Sequence, residues 1–285
     1  MADLIHGNTQ VGATKAELIS AVVQKELKFK AQLAPYFYDV SQFAVKGMKS
    51  ISFPKLGSFS AALRTSGTQG DATVVTSTVD KMDLDKNAYI AYIIDSSDSV
   101  QSTVNWEMEL AKRAGAAHGR YFDSQLITAL ENGAGLVAGT LGTITEDDVL
   151  DMREFVKGNE GMLDESVLII GPDLEKQMLK IDRFTRYDAY ASSNIPSGVI
   201  GKVHGLPVVI HNGMTTGQAI VASKDALAYG FQLGPQSSEQ PANEYGSLAK
   251  RVAVDQLFGV KALQIDAAAK YAPIATKSAL IAKLG

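Results

Sequence analysis

Ile51-Ser52-Phe53-Pro54, then Ser66-Gly67-Thr68-Gln69-Gly70-Asp71, then Thr73-Val74-Val75-Thr76-Ser77-Thr78-Val79: this run, inside Lys49–Asp85, decides how the chain is read. Its two ends are rich in strand formers. Its middle is turn chemistry, with glycines free to take positive φ and an aspartate able to bond its own backbone. The pattern predicts a two-stranded arm closed by a wide tip. An isolated hairpin is marginal in water, and this one is polar on both faces. It is therefore expected to gain stability by lying on another body, and a second copy of the same chain is the natural candidate.

The flanking sequence supplies the rest of the frame. Upstream, Thr14-Lys15-Ala16-Glu17 reads as a capping box. It opens a helix that carries Ile19, Val22, Val23 and Leu27 on one stripe and ends before Pro35. Residues 1–13 have little periodicity and read as an arm. Downstream, Ala88–Ile94 is a continuous apolar run suited to a buried strand. A long helix is expected from about Asn105 to Glu131, with Trp106, Leu110, Ala114, Ala117 and Tyr121 as its stripe and Asn132-Gly133 as its stop. Small residues fill its middle, from Ala111 to Gly119, so another backbone can come close. Trp106 is expected in the core.

Gly133–Gly142 reads as a glycine-rich connection and a domain boundary. Thr145 then caps a helix whose first turn holds Glu146, Asp147 and Asp148 and whose buried stripe is Val149, Met152 and Val156. Val167–Ile170 is a buried strand stopped by Gly171-Pro172, and Asp173 is expected to cap a helix to about Lys180. Strands follow at Pro207–Ile210, Ala219–Ala222 and Leu227–Phe231. The alternation makes residues 143–245 an α/β unit. A polar stretch, Gly234–Gly246, leads into a strand-rich Leu248–Gln264 with a bend at Phe258-Gly259.

The bulk numbers bound the function. With 285 residues, 46% hydrophobic and 20% charged, the chain is ordinary for a globular protein. At that length about 75% of the unfolded surface is buried. There are no cysteines, which excludes disulfides and thiolate chemistry. No apolar run reaches the ~18 residues of a membrane-crossing helix. Met1-Ala2-Asp3-Leu4 lacks the pattern of a secretion signal. A net charge of −4 argues against a dedicated nucleic-acid binder.

Candidate catalytic and ligand motifs fail on inspection. His6, His118, His204 and His211 are scattered, and His204 and His211, which flank Pro207–Ile210, have no carboxylate at ligand spacing beside them, so structural or surface roles are expected and no metal. Gly133-Ala134-Gly135 with Gly139 misses the dinucleotide fingerprint, and Gly198–Lys202 lacks the first glycine and the hydroxyl residue of a P-loop. There is no G-x-S-x-G elbow. Helix capping explains Glu146, Asp147, Asp148 and Asp151. Lys180–Tyr187 interleaves basic and aromatic residues. Single-strand binders do this too, but a loop gripping a neighbouring subunit is the better reading, because Arg and Tyr are typical interface anchors.

The order of parts resembles the major capsid proteins of tailed bacteriophages, with the Hong Kong 97 capsid fold. Ile51-Ser52-Phe53-Pro54 is similar to the family's lead into its extended E-loop. Asp95-Ser96-Ser97-Asp98 and Gln101-Ser102 stand as they do before its spine helix. Glu109–Asp123 and Leu126–Leu130 resemble its helix pattern. Gly201-Lys202-Val203-His204-Gly205-Leu206-Pro207-Val208-Val209 is similar to its "G-x-i-x-G-x-P-V-v" strand. The resemblance implies an α+β fold in four parts: an N-terminal arm with a helix (1–48), an E-loop (49–85), a peripheral domain (86–135 and 246–285) and an axial domain (136–245).

It also implies a non-enzymatic shell protein of the virion, assembled in the host bacterial cytoplasm. Hexamers and pentamers would close into an icosahedron around double-stranded DNA held without sequence specificity. Its partners would be further copies of itself, a separate scaffolding protein, a portal protein and possibly a decoration protein, with no membrane and no cofactor. Phe53, Phe59, Arg64, Arg183, Phe184, Arg186 and Tyr187 are the expected intersubunit contacts. Lys55 and Lys81 are available for the family's covalent cross-link, but no cross-link is expected. Alternatives are a nanocompartment shell of the same fold with a protein cargo, a phage tail protein, and an oligomeric α/β enzyme.

Overall fold

The computed structural model describes residues 31–56, 77–95, 106–139, 143–158, 165–180, 199–242, 244–245, 249–263 and 268–273, with 19, 21–23, 25 and 26. Two sheets share one long helix. The first sheet has four strands in the order β1-β10-β11-β4: β1 Tyr38–Asp39, β10 Leu227–Pro241, β11 Lys250–Ala262 and β4 Lys86–Ile94. The second has six, in the order β5-β12-β9-β6-β8-β7: β5 Gly135–Gly139, β12 Ala268–Pro273, β9 Ala219–Ser223, β6 Ser166–Ile170, β8 Leu206–Ile210 and β7 Val199–Val203. A separate two-stranded ribbon pairs β2 Ser50–Leu56 with β3 Ser77–Asp83. The helices are α1 Trp106–Gly133, α2 Glu146–Gly158 and α3 Pro172–Met178.

The second sheet is covered on both faces, so its central strands β6 and β9 are buried at every position. Leu168 and Ile170 pack with Val149, Met152 and Val156 of α2 and with Leu174 and Met178 of α3. Val167 and Ile169, pointing the other way, pack with Leu126, Ile127 and Leu130 of α1. That alternation follows from the two-residue period of a strand. The α2 stripe matches its prediction, and its start is a reciprocal cap. Thr145 N–H donates to Asp148 Oδ2 at 2.8 Å, and Asp148 N–H donates to Thr145 Oγ1 at 3.3 Å.

The first sheet is covered by α1 on one face only. Val252, Val254 and Phe258 of β11 are buried, while β4 alternates between buried and exposed positions. The apolar run Ala88–Ile94 is therefore half-buried, with Tyr89 50% and Ile93 40% exposed.

The small-residue middle of α1 does admit another backbone. Ile19 and Val23 of the N-terminal helical residues pack on Ala111 and Ala114. A Cβ built on Gly115 would sit 2.7 Å from the Val23 carbonyl oxygen. Ala114→Leu is accordingly expected to lower stability by about 1–3 kcal/mol through overpacking, seen as a lower melting midpoint. An unchanged midpoint would place that face in solvent.

Several expectations are corrected. The buried stripe of α1 runs through Ala111, Ala114, His118, Phe122, Leu126 and Leu130; Trp106 and Tyr121 are 40% and 41% exposed. Gly135–Gly139, expected as connection, is β5, because β12 pairs with it in parallel. Gly171, not Asp173, caps α3, and Asp173 instead accepts the Gly217 N–H. Gln236–Pro241 is no linker: it continues β10 against Lys250–Asp255, with register irregularities between Phe231 and Gln236. β11 passes through Phe258-Gly259 without a break. β10 and β11 pair with each other, and sheet membership changes after Ser223 and again between Ala262 and Ala268. The Thr14–Glu17 cap and Leu27 lie outside the described residues.

Candidate assembly surfaces

The ribbon is rooted in its own chain. Ile51, Met82 and Leu84 are buried with Val40, Ala44 and Ala228, and Phe53 lies half-buried over them. Lys261 pairs with Asp80 at 3.4 Å, and Leu84 N–H donates to the Lys49 carbonyl. β11 can pass beneath only because position 259 is glycine: a Cβ there would lie 2.4 Å from the Asp83 carbonyl oxygen. Gly259 faces Gly230 across the sheet, where a Cβ would meet Val40 at 3.2 Å. The expectation that the hairpin depends on another body thus holds at most beyond its base. Farther out the strands stay paired, from Phe53↔Asp80 to Leu56↔Ser77. Pro54 is tolerated because a two-stranded ribbon consists of edges. Val79, opposite Pro54, is 58% exposed.

A second apolar surface precedes the ribbon. Phe43, Val45 and Met48 are 52%, 59% and 49% exposed. They sit on a held loop: Gln232 Nε2 donates to the carbonyls of Val45 at 2.9 Å and Met48 at 2.7 Å. Gly47, at φ +94, supplies a left-handed turn between them. Ordered, exposed apolar side chains in one place mark a contact surface rather than scattered surface residues. A third is the part of the first sheet's outer face that lies away from the ribbon base. There Tyr89 and Ile93 stand on the edge strand β4, and Arg251 Nη2 donates to Tyr89 Oη at 2.6 Å.

Phe122 centres an aromatic cluster, with ring centroids 5.3 Å from Tyr229, 4.8 Å from Phe231 and 5.2 Å from Phe258. A cavity of about 460 Å³ opens beside it, lined by Ala34, Pro35, Asp39, Phe122, Tyr229 and Phe231 among others. Burial pushes the Tyr229 phenol up to about 12, with Asp39 adding to it. Burial also holds Tyr92 at about 12, helped by Glu107 and Glu239. Unfolded tyrosines ionise near pH 10. The stability these two contribute is therefore complete below pH 10 and is lost as pH rises from 10 to about 12. In a phenolate-absorbance titration, Tyr92 and Tyr229 should ionise only near pH 12. Ionisation of all ten near pH 10 with the fold intact would contradict this burial.

Among the described residues the polar groups pair off separately. His204 Nε2 meets Glu146 Oε1 at 3.0 Å, and His211 Nε2 meets Asp123 Oδ2 at 3.3 Å. These pairs were missed in sequence because each joins residues distant along the chain. They bracket β8 and tie it to α2 and α1. His204 has φ +49 and Gly205 +86, which makes the tight turn between β7 and β8. His118 is buried on α1. Burial lowers its pKa, outweighing Val254, Asp255 and Gln256, which raise it, so it is neutral at pH 7. Among the described residues no three His, Asp or Glu side chains gather as a metal would need, and no helix is long and apolar enough to cross a membrane.

Of the expected contact residues, the structure places Phe53, half-buried at the ribbon base. Phe59, Arg64, Arg183, Phe184, Arg186 and Tyr187 lie outside the described residues, as do Lys180–Tyr187 beyond Lys180 itself. Phe43, Val45, Met48 and Val79 were not foreseen. For the first three the signal is local, a run of apolar residues beside Gly47 just ahead of the ribbon.

A family model described as phage capsid protein matches residues 100–275. No curated protein matches the sequence. Among solved structures, the chain is similar to one from Mycobacterium phage Che8, at 18% identity over 85% of this chain and 90% of that one, with a TM-score of 0.68. It is also similar to one from Microbacterium phage Oxtober96, at 14% identity over 86% and 91%, with a TM-score of 0.64. A virus-like particle from Pyrococcus furiosus matches at 11% identity over 90% and 98%, with a TM-score of 0.62.

Proposed function

The chain belongs to the phage capsid protein family, and from that premise we propose that it assembles as hexamers and pentamers into an icosahedral shell around double-stranded DNA. It is a structural major capsid protein with the Hong Kong 97 fold, a component of the virion that acts by self-assembly. The observation that carries the proposal is the ribbon: a paired arm locked into its own chain at the base, with an exposed apolar residue, Val79, where it leaves the body. The exposed apolar surface of such an arm is suited to contact with another molecule. Many weak, repeated contacts then sum to a stable closed shell.

In this reading the first sheet with α1 forms the peripheral domain, and the second sheet with α2 and α3 forms the axial domain near the capsomer centre. Sheet pairing supports assigning β10 to the former and β12 to the latter. The loop bearing Phe43, Val45 and Met48 and the outer face of β4 are the further subunit contacts, alongside Phe53, Phe59, Arg64, Arg183, Phe184, Arg186 and Tyr187. A separate scaffolding protein would guide closure in the host cytoplasm, and a portal protein would occupy one vertex. A decoration protein would bind the outside where the phage has one. The protein carries out no catalysis. Its mild negative charge suits a wall that does not grip packed DNA.

The likeness to the virus-like particle favours keeping a second reading, a shell of the same fold enclosing protein. The lumen separates the two. Particles purified from producing cells, treated with nuclease and then opened, should release protected double-stranded DNA. Protected protein without nucleic acid would favour the second reading.

A further inference from the structure

The turn after β8 holds a base against the nucleophile of a chemical modification. Asn212-Gly213 is one of two Asn-Gly pairs in the chain, the other being Asn132-Gly133. In Asn-Gly sequences the glycine nitrogen can attack the asparagine side-chain amide, because glycine puts no side chain in its way. Here the Gly213 N–H donates to His211 Nδ1 at 2.9 Å, inside a turn closed by Met214 N–H on the His211 carbonyl at 3.3 Å. Accepting that bond fixes Nδ1 as the unprotonated ring nitrogen. The other nitrogen, Nε2, faces Asp123 Oδ2 at 3.3 Å. Asp123 is fully buried and is itself held by the Gln32 N–H at 2.9 Å. A general base must lie within about 2.6–3.2 Å of the atom it deprotonates, and a third group that orients the base completes the arrangement. Asp123, His211 and the Gly213 N–H meet both conditions.

We propose that Asn212 is a self-modifying site, deamidated with His211 as general base and Asp123 as its positioning residue. His211 Nδ1 takes the Gly213 N–H proton as that nitrogen bonds to Asn212 Cγ. The Cγ–Nδ2 bond breaks, the imidazolium returns the proton to the departing nitrogen, and ammonia leaves. Water then opens the five-membered imide to aspartate or isoaspartate. No oxidant or reductant is needed. Asn212 and Gly213 are exposed, so water enters and ammonia escapes freely. The product carboxylate appears in a cavity of about 490 Å³ that Arg120 also lines, which supplies a cation for it. Asn132-Gly133 serves as the internal comparison, since Gly133 ends α1 with its N–H inside the helix.

The test is peptide mapping by mass spectrometry of the purified full-length chain, aged at neutral pH. Asn212 should convert to aspartate and isoaspartate well ahead of Asn132. His211→Gln keeps a donor toward Asp123 and loses the base, and should slow conversion at least about tenfold. His211→Asn, which can still accept the Gly213 N–H without being basic, should be equally slow, and circular dichroism checks that both variants fold. The charged groups around His211 are Asp123, Arg120 and, through the Thr215 N–H, Glu131. Conversion of Asn212 no faster than Asn132, or equal rates in folded variants and the parent chain, would overturn the proposal.

Discussion

Replacing residues 57–76 by a two-residue Asn-Gly turn should leave a folded, soluble chain that cannot close into shells. The fold should survive because the core contacts of the ribbon's described residues lie at its base. Ile51, Met82 and Leu84 are buried with Val40, Ala44 and Ala228, and none of these residues is removed. Leu56 pairs with Ser77, so an Asn-Gly turn joins the strand ends in the geometry that two-residue hairpins prefer. If the outer ribbon supplies a contact in every subunit, its removal is multiplied around the shell, and assembly falls from complete to undetectable by sedimentation. Melting should shift by only a few degrees. Normal shells from the shortened chain would mean that the arm is not a structural tie.

The second large effect is expected at Gly259. A valine there places its Cβ 2.4 Å from the Asp83 carbonyl oxygen and 3.2 Å from the Asp83 carbonyl carbon. Backbone cannot move aside as a side chain does. The cost is about 3 kcal/mol, at the upper end for overpacking, and for a chain of this size each kcal/mol lowers the melting midpoint by roughly 2–4 °C. The strain falls where the ribbon joins the first sheet, so Gly259→Val should also turn the arm and reduce assembly at temperatures where the subunit is still folded. A neutral melting shift would show that the ribbon base and β11 are farther apart than described here.

The legible parts of the fold were those in which one local signal decides. Thr145 as cap, and the spacing of Val149, Met152 and Val156, define α2 without tertiary help, and Ile51-Ser52-Phe53 marks the first strand of the ribbon, whereas its partner, read at Thr73–Val79, runs from Ser77 to Asp83. The illegible parts depend on partners distant in sequence. Gln236–Pro241 is polar and becomes strand only because β11 lies beside it. Gly135–Gly139 becomes strand because β12 and β9 complete its sheet. The phase of α1 was misread through Trp106 and Tyr121, whose size suggests burial. Phe122, one position on, fills the core instead, because that face meets both sheets. The surface candidates were harder still. Exposed Phe43, Val45 and Met48 become significant only once Gln232 is seen holding their loop, and the pairing of His204 with Glu146 and His211 with Asp123 is set by topology alone.

The central claim is tested most directly by negative-stain electron microscopy of the purified chain, produced alone and together with its scaffolding partner. The account predicts closed polyhedral shells, or rings of six and five subunits ready to form them. A monodisperse small oligomer that never assembles in either preparation would contradict it.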